Sequence, residues 1–302
     1  MQASALPFGE WAIGWPTVQI LTPIHPMSSD LPISVLIPVK NDAENLRVCL
    51  EKLRDFDDIW VIDSQSQDNT ADICAEFGVQ RLDFLWNGQY PKKRNWALMN
   101  LNFRHDWILL LDADERVTTA FIDELKCVIR HSPYNAYWVS YQNFFMARKI
   151  RGDRFQKIAL IRKGKALYER IDESRWSHLD MEVHEHPLVE GQLGILRAPL
   201  DHFDFRGLEK YMEKHLQYAS WEAHRFVSSP LSSNTKTFRQ KIKYQLLDTW
   251  IWGPLVFVYL FILRAGFCDG RIGAIFAVQK WVYFWNIKMR IEDLRARQRH
   301  LS

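Results

Sequence analysis

Between residues 33 and 112 short apolar runs alternate with stretches of helical spacing, a rhythm met by a parallel sheet whose strands are joined through crossover helices. Ile33-Ser34-Val35-Leu36-Ile37-Pro38-Val39 is a β-branched run of strand length, stopped by a proline that cannot donate to a ladder. Leu46, Leu50 and Leu53 then recur at helical spacing, with Asn41 or Asp42 available as the cap. Asp58 to Asp63 reads as a second buried strand ending on an acid. Ser64 to Asn69 follows as a polar loop, and Thr70 to Phe77 as a helix closed by Gly78. The pattern continues with Val79 to Phe84, a helix around Lys92 to Leu101, and the strand Trp107 to Asp112. This predicts an α/β fold, a Rossmann-like, mostly parallel sheet with helices on both faces. Ligands of such sheets bind beyond the carboxyl ends of the strands, where Asp63 and Asp112 both stand.

From Tyr137 to Phe205 the spacing changes to short runs separated by Gly152, Gly164, Gly191 and Gly194, which predicts an antiparallel or mixed extension over the site. Arg206 to Val227 reads as a helix, and Ser228 to Thr237 as a linker. Residues 1–30 contain Pro7, Pro16, Pro23 and Pro26 and lack the basic start and apolar core of a secretory leader, so an extended arm is expected. Cys49, Cys74, Cys127 and Cys268 are far apart without CxxC spacing, which fits a reducing cytosol.

The net charge of +3 excludes a chain-wide reader of nucleic acid, but the charge is unevenly placed. Lys236 to Ser302 holds twelve Lys or Arg against four Asp or Glu, together with thirteen aromatic residues. Thr249 to Leu263 is uncharged, and Ile272 to Ile287 is broken only by Gln279, Lys280 and Asn286. Both stretches are shorter than the roughly 20 apolar residues of a spanning helix. An in-plane hairpin on an anionic leaflet is expected, since cations attract headgroups while Trp and Tyr favour the interface. The alternative is a pair of aromatic helices packed on the rest of the chain or on a second subunit.

Asp112-Ala113-Asp114-Glu115 carries the strongest chemical signal. Two carboxylates at i and i+2 past a strand end can share a crevice and hold Mg²⁺ or Mn²⁺, leaving positions for phosphate oxygens. Asp63, followed by Ser64-Gln65-Ser66-Gln67-Asp68-Asn69-Thr70, can accept from a nucleobase or a ribose hydroxyl, or hold its own loop; Asp68 reads as a helix cap. Pro91-Lys92-Lys93-Arg94-Asn95 puts three cations at a helix start, against the helix dipole. A bound diphosphate would offset that arrangement, and a solvated basic face is the other reading.

Taken in order, the Val35 to Glu44-Asn45 stretch, the Val61-Ile62-Asp63-Ser64 loop, the Lys93-Arg94-Asn95 helix and the Leu111 to Glu115 turn resemble the successive motifs of glycosyltransferase family 2. The resemblance covers about residues 33–225. It implies a GT-A fold, a nucleotide-sugar donor, most often a UDP-sugar, a divalent cation (Mg²⁺ or Mn²⁺), and inversion at the anomeric carbon. It places Asp63 on the nucleoside, Lys93 or Arg94 on the nucleotide, Pro38 and Ala113 along the donor, and Asp112 with Asp114 on the metal and diphosphate.

Inverting transfer needs a general base at the acceptor hydroxyl. Val183-His184-Glu185-His186-Pro187 looks like a His-Glu motif of part of this family, which makes Glu185 the expected base, with Asp180 and Glu182 as runners-up. On a strand, His184 and His186 would face away from Glu185. His202 is a candidate third metal ligand or a structural group, and His184, His186 and His202 together are an alternative zinc set.

The segments Leu208 to Ala219 and Leu263 to Arg271 resemble the tail of lipopolysaccharide core β-glucosyltransferases and their exopolysaccharide relatives, with Cys268 where Leu is common. Processive relatives carry QxxRW; here Asp172 precedes Arg175-Trp176, which favours a single transfer.

The expected organisation is an arm over 1–30 and a catalytic domain over 31–227, with a nucleotide-binding half (31–135) and an acceptor half (136–227). A basic, aromatic, helical and membrane-associating region over 228–302 follows. The expected partners are a nucleotide-sugar, a lipid-linked or lipopolysaccharide acceptor and an anionic membrane surface. The expected location is the cytoplasmic face of the inner membrane. A non-catalytic nucleotide-binding scaffold subunit is the alternative function; the clustered carboxylates Asp112, Asp114 and Glu185 argue against it. Nucleotidyl transfer would call for a Gly-rich loop where the chain has Pro38 to Ala43.

Overall fold

The computed structural model describes residues 31–171, 179–182, 185–204, 207–228 and 245–301. The expected arm (1–30), the 229–237 part of the expected linker, Asp172, Arg175, Trp176 and His184 lie outside the described residues.

β1 (Ile33–Val39), β2 (Asp58–Asp63), β3 (Gln80–Asp83) and β4 (Trp107–Leu110) pair in parallel in the order β3-β2-β1-β4. Every residue of β1 is buried because helices cover both faces. Val35 and Ile37 pack with Leu46 of α1 (Ala43–Glu51), Ile73 of α2 (Thr70–Glu76) and Phe121 of α4 (Thr119–Val128). Leu36 points the other way, toward Ala97 of α3 (Lys93–Asn100).

Pro38 does not stop β1: pairing with β2 continues through Pro38 and Val39. Leu36 O accepts from Leu111 N on the β4 side, and Val39 O accepts from Ser64 N on the β2 side. Alternation therefore turns the missing N–H of Pro38 toward β4, whose paired stretch has already ended at Leu36↔Leu110. The expected cap of α1 also moves. Asp42 stands at its start but its carboxylate accepts from Asn45 Nδ2 (3.0 Å) rather than capping the backbone, and Asp68 accepts from Ala43 N (2.9 Å). Asp68 accepts from Thr70 N and Oγ1 as well, so one carboxylate closes the starts of both α1 and α2.

The second half departs from a set of short strands. β6 (Ala136–Phe145) and β7 (Arg148–Arg162) form a long antiparallel hairpin, and β7 lies antiparallel to β4. Gly152 is inside β7 rather than between strands; a Cβ there would lie 2.9 Å from Leu260 O, so the missing side chain admits the C-terminal backbone. β5 (Glu115–Arg116) pairs with β11 (Leu200–His202), which runs parallel to β6. β8 (Ala166–Tyr168) pairs with β9 (Pro187–Val189), and β10 (Leu193–Ile195) joins β6.

α5 (Leu208–Ser228) takes the place expected of a helix from Arg206. α6 (Trp252–Val258) runs into a π-helical turn, Tyr259–Leu263, and Ala265 adopts a left-handed conformation. A 3₁₀ turn, Gly266–Asp269, then leads to α7 (Gly270–Leu301). α7 runs back along α6 and packs Ile287 and Ile291 on Ala219, Ala223 and Phe226 of α5, while Leu260, Phe276 and Ala277 meet Phe145 and Ile150 of the hairpin. The aromatic helices thus pack on the rest of the chain. Among the described residues no helix is long and apolar enough to cross a membrane.

The α5–α7 seam carries a pH dependence. His215 stacks on Tyr211 (3.9 Å between ring centres), faces Tyr283 edge-on and donates from Nδ1 to Tyr211 O (2.8 Å). Burial, aided by the Lys280 and Lys214 charges and opposed by Asp204, pushes the imidazole down to about 4. The unfolded chain takes up this proton near 6.5 and the folded chain only near 4, so stability is full above pH 6.5 and falls as the pH drops toward 4. The loss is at most about 3 kcal/mol. Urea unfolding of wild type and His215→Gln between pH 7 and 4.5 checks this, the variant losing that part of the slope.

Candidate active site

β4 delivers the acidic turn. After Leu110 the chain bends through Asp112-Ala113-Asp114, closed by Glu115 N donating to Asp112 O (2.9 Å) and by Asp112 N donating to Glu115 Oε2 (3.0 Å). β11 lies against the far side of this turn, pairing His202 with Glu115 and, through Phe203 N, donating to Asp114 O (2.8 Å). His202 Nε2 is thereby 3.7 Å from Asp114 Oδ1. Its other nitrogen, Nδ1, donates to Asn143 Oδ1 on β6 (2.6 Å), a partner that orients the ring and leaves Nε2 for the acids.

Asp114 is the centre of the cluster. A carboxylate oxygen of Asp114 lies within 4.8 Å of one from each of Asp112 and Glu115 on one side, and of a His202 ring nitrogen and an Asp204 oxygen on the other. Asp114 Oδ1 is buried and has no hydrogen-bond partner, an uncommon state for a carboxylate oxygen and one that a cation would satisfy. Carboxylates with one imidazole suit a hard divalent ion such as Mn²⁺ or Mg²⁺. The alternative zinc set of His184, His186 and His202 includes His184, which lies outside the described residues.

The acids face cations from three elements. Arg94 of α3 pairs with Asp112. Lys157 of β7 reaches Asp112 (3.0 Å) and Glu115 (2.5 Å) across the ring of Tyr141. Lys214 of α5 pairs with Asp204 and lies 3.6 Å from Asp114. Burial would raise the Asp112 carboxyl, but Arg94 and Lys157 outweigh it and hold it well below the usual carboxylate range. Glu115, fully buried, is pushed up to about 7 by desolvation. Burial works against the charge of Lys157 and Lys214, yet the acids around them raise both well above the ordinary lysine value.

At the start of α3 the three cations are neither solvated nor left to a ligand alone. Lys92, Lys93 and Arg94 are all buried. The segment 180–182 supplies the offsetting acceptors: Asp180 O takes Lys93 N (2.9 Å), and the Glu182 carboxylate takes Arg94 N (2.9 Å) and Asn95 N (3.0 Å). Glu182, a runner-up base, is therefore the cap of α3. Asp180, the other, holds Ser64 Oγ and lies 3.5 Å from Lys93 Nζ. Burial lowers Lys93, which also donates to Val39 O at the end of β1.

Asp63 is fully buried at the end of β2, accepting from Ser66 N (2.9 Å) and Ser66 Oγ (2.6 Å) and pairing with Arg81 (2.6 Å). Pro38 and Ala113 are buried beside the same strand ends. Glu185 is not on a strand; it is buried with Oε1 3.0 Å from Lys92 Nζ. It borders a cavity of about 600 Å³ shared with Trp86, Tyr90, Lys92, Glu169 and Arg170.

The expected residues thus gather as two groups, Asp112, Asp114, His202 and Arg94 at the turn, and Glu185 with Lys92 at the cavity. Asp204, Lys157, Asn143 and Lys214 carry no assigned role in the sequence reading. His202-Phe203-Asp204 repeats the i, i+2 spacing of the acidic turn and could have flagged Asp204. Lys157 sits in an unremarkable alternating strand and gives no such signal.

The profile of the family described as Glycosyl transferase family 2 matches residues 34–178. The lipopolysaccharide core biosynthesis glycosyltransferase LpsC of Rhizobium meliloti is 25% identical over 268 residues, covering 83% of this chain and 91% of that one. An uncharacterized glycosyltransferase of Rickettsia prowazekii is 24% identical over 249 residues, covering 80% of each. Among solved structures, the mannosyltransferase PcManGT of Pyrobaculum calidifontis, in complex with GDP-Man and Mn²⁺, superposes with a TM-score of 0.50 over 87% of this chain and 88% of that one, at 10% identity. That likeness is one of architecture, the GT-A fold implied by the sequence motifs.

Proposed function

We infer that this chain is a family 2 glycosyltransferase, a reading supported by the family match over residues 34–178 and the likeness to LpsC, and that it moves a single sugar from a nucleotide-diphosphate donor to a lipid-linked or membrane-presented glycan, with inversion and with a divalent cation. The observation that carries the reading is Asp114. A buried carboxylate with an oxygen that accepts no hydrogen bond, flanked by Asp112, Glu115, His202 and Asp204, is a costly arrangement that a cation relieves.

In this proposal Asp112 and Asp114 hold Mn²⁺ or Mg²⁺ with His202, and Asp204 supplies a further oxygen. When bound, the cation offsets the charge that grows on the departing diphosphate. Arg94, Lys157 and Lys214 are placed to meet the same phosphates, since each already contacts the acids of the turn. Lys93 and Asp63 sit deeper, at the ends of β1 and β2, where the nucleoside of a donor in this crevice would lie. Asp63 then acts with Arg81 and Ser66, whose contacts fix the direction of its carboxylate.

The acceptor oxygen attacks the anomeric carbon opposite the diphosphate. Its proton passes to the Glu185 carboxylate as the new bond to carbon forms and the bond from carbon to diphosphate oxygen breaks. Lys92 holds Glu185 at the wall of the cavity, whose Trp86 and Tyr90 rings offer apolar faces to a sugar. The relationship to LpsC favours a lipopolysaccharide core acceptor at the cytoplasmic face of the inner membrane, and a UDP-sugar is the preferred donor.

Calorimetric titration with UDP, GDP and dTDP, each with and without Mn²⁺, tests the reading. Metal-dependent binding of one nucleotide is expected; absence of binding for all three in Mn²⁺ would overturn it.

A further inference from the structure

We propose that α6, the turn after it and the tip of the β6–β7 hairpin form one docking edge for an anionic bilayer, with apolar side chains entering the headgroup region and basic ones gripping lipid phosphate. The proposal rests on the reading of a membrane-presented acceptor and specifies which face meets the membrane.

Two helices carry apolar side chains outward in register. On the α6 side Ile251, Leu255, Val258 and Ile262 are all exposed, at intervals of four, three and four residues, one face of a helix. On α7 Val278, Val282, Trp285 and Met289 repeat the same intervals and are exposed too. The stripes meet where Trp250 and Trp285 stand edge-to-face at 6.2 Å, with Trp285 Nε1 donating to Trp250 O. Leu263 and Phe267, 73% and 55% exposed, extend the apolar face through the turn. Soluble helices bury such stripes, and exposed apolar area of this continuity marks an interaction site.

Charge identifies the occupant. Beside Phe267 a cavity of about 520 Å³ lies between the hairpin tip and the 3₁₀ turn, lined by Arg148, Lys149, Arg151 and Arg154 with Asp269. Arg151 lies 3.6 Å from Asp269; among the described residues no carboxylate is within ion-pair distance of Arg148, Lys149 or Arg154. Arg264 and Arg271 stand on either side of the turn. A second copy of this chain would set these cations against their equals, whereas an anionic leaflet neutralises them while its acyl boundary accepts the apolar stripe. No helix among the described residues crosses a membrane, so the contact lies in the plane.

The same edge leads to the site. Asn143, which holds His202, is three residues before Met146 and Ala147, the left-handed turn of the hairpin. Phe144 stacks on Phe203, next to His202, at 4.2 Å. At about 3.3 Å per strand residue the hairpin tip is only about 10 Å along β6 from the metal-side histidine, within reach of a glycan held at the headgroups.

Sedimentation of the full chain with vesicles of phosphatidylcholine alone, or with one-quarter phosphatidylglycerol, tests the proposal. Two variants accompany it: Leu263→Asp with Phe267→Asp, and Arg148→Ala with Lys149→Ala and Arg154→Ala. All five positions are exposed, and unchanged Mn²⁺-dependent nucleotide titration would certify the fold. Wild type is expected to pellet with the anionic vesicles far more than with the neutral ones, with tryptophan emission quenched by brominated lipid. Each variant should bind at least tenfold more weakly, the basic triple by about a hundredfold at low salt. Equal binding of wild type and both variants, or no preference for anionic lipid, overturns the proposal. So does a dimer in solution that the apolar variant dissociates while its vesicle binding is unchanged. Loss of nucleotide binding with intact vesicle binding would instead overturn sugar transfer and leave the docking edge standing.

Discussion

Asp114→Ala is expected to abolish the Mn²⁺ dependence of nucleotide-diphosphate binding, weakening affinity in Mn²⁺ by about a hundredfold or more. Supporting residues around a metal are each worth roughly 10- to 100-fold, and a shared ligand is worth at least as much. Asp114 belongs to both sets of clustered ligand atoms, so its removal leaves neither set with three members. The fold should survive, because Lys214 keeps Asp204 and His202 keeps Asn143. Calorimetry of UDP with and without Mn²⁺, beside thermal unfolding, makes the measurement. A variant that binds UDP with undiminished metal dependence would remove Asp114 from the site.

Glu185→Gln should retain donor affinity and lose transfer by about 10²- to 10⁴-fold, the usual contribution of a positioned base. The substitution also breaks the buried ion pair with Lys92, whose side chain is 8% exposed, and so costs stability as well as activity. The double variant Lys92→Met with Glu185→Gln separates the effects, since it removes both charges. If the double variant is folded and inactive, the carboxylate carries the chemistry; if Glu185→Gln transfers sugar at the wild-type rate, Asp180 becomes the candidate. Glu182 does not, because both its oxygens hold the start of α3.

How far the sequence could be read follows from where its signals are local. β1, β2 and β4 are continuous apolar runs, and their order, spacing and terminal acids are visible without tertiary information. The acidic turn is legible for the same reason. The β6–β7 hairpin is not: its strands alternate polar and apolar residues, and Gly152 imitates a break although it answers a close approach by Leu260. His202 reaches Asp114 through the β5–β11 register, which no local pattern encodes. The basic start of α3 needs anions, as three adjacent cations at a helix N-terminus imply. The acceptors found there are Asp180 and Glu182, a segment far along the chain, so the protein itself supplies much of what a ligand was expected to supply. Asp63 likewise has its protein partners in Ser66 and Arg81.

Arg94, Lys157 and Lys214 set three cations against the four carboxyl groups of Asp112, Asp114, Glu115 and Asp204, which leaves the centre close to electrical balance. A nucleotide dianion alone would upset that balance in a region poor in screening water, and a dication bound beside it offsets the added charge. Together the two bring almost no net charge. Metal and donor should therefore be recruited as one unit, each tightening the other's hold by the same factor, as linkage requires of any two ligands sharing a coupling free energy.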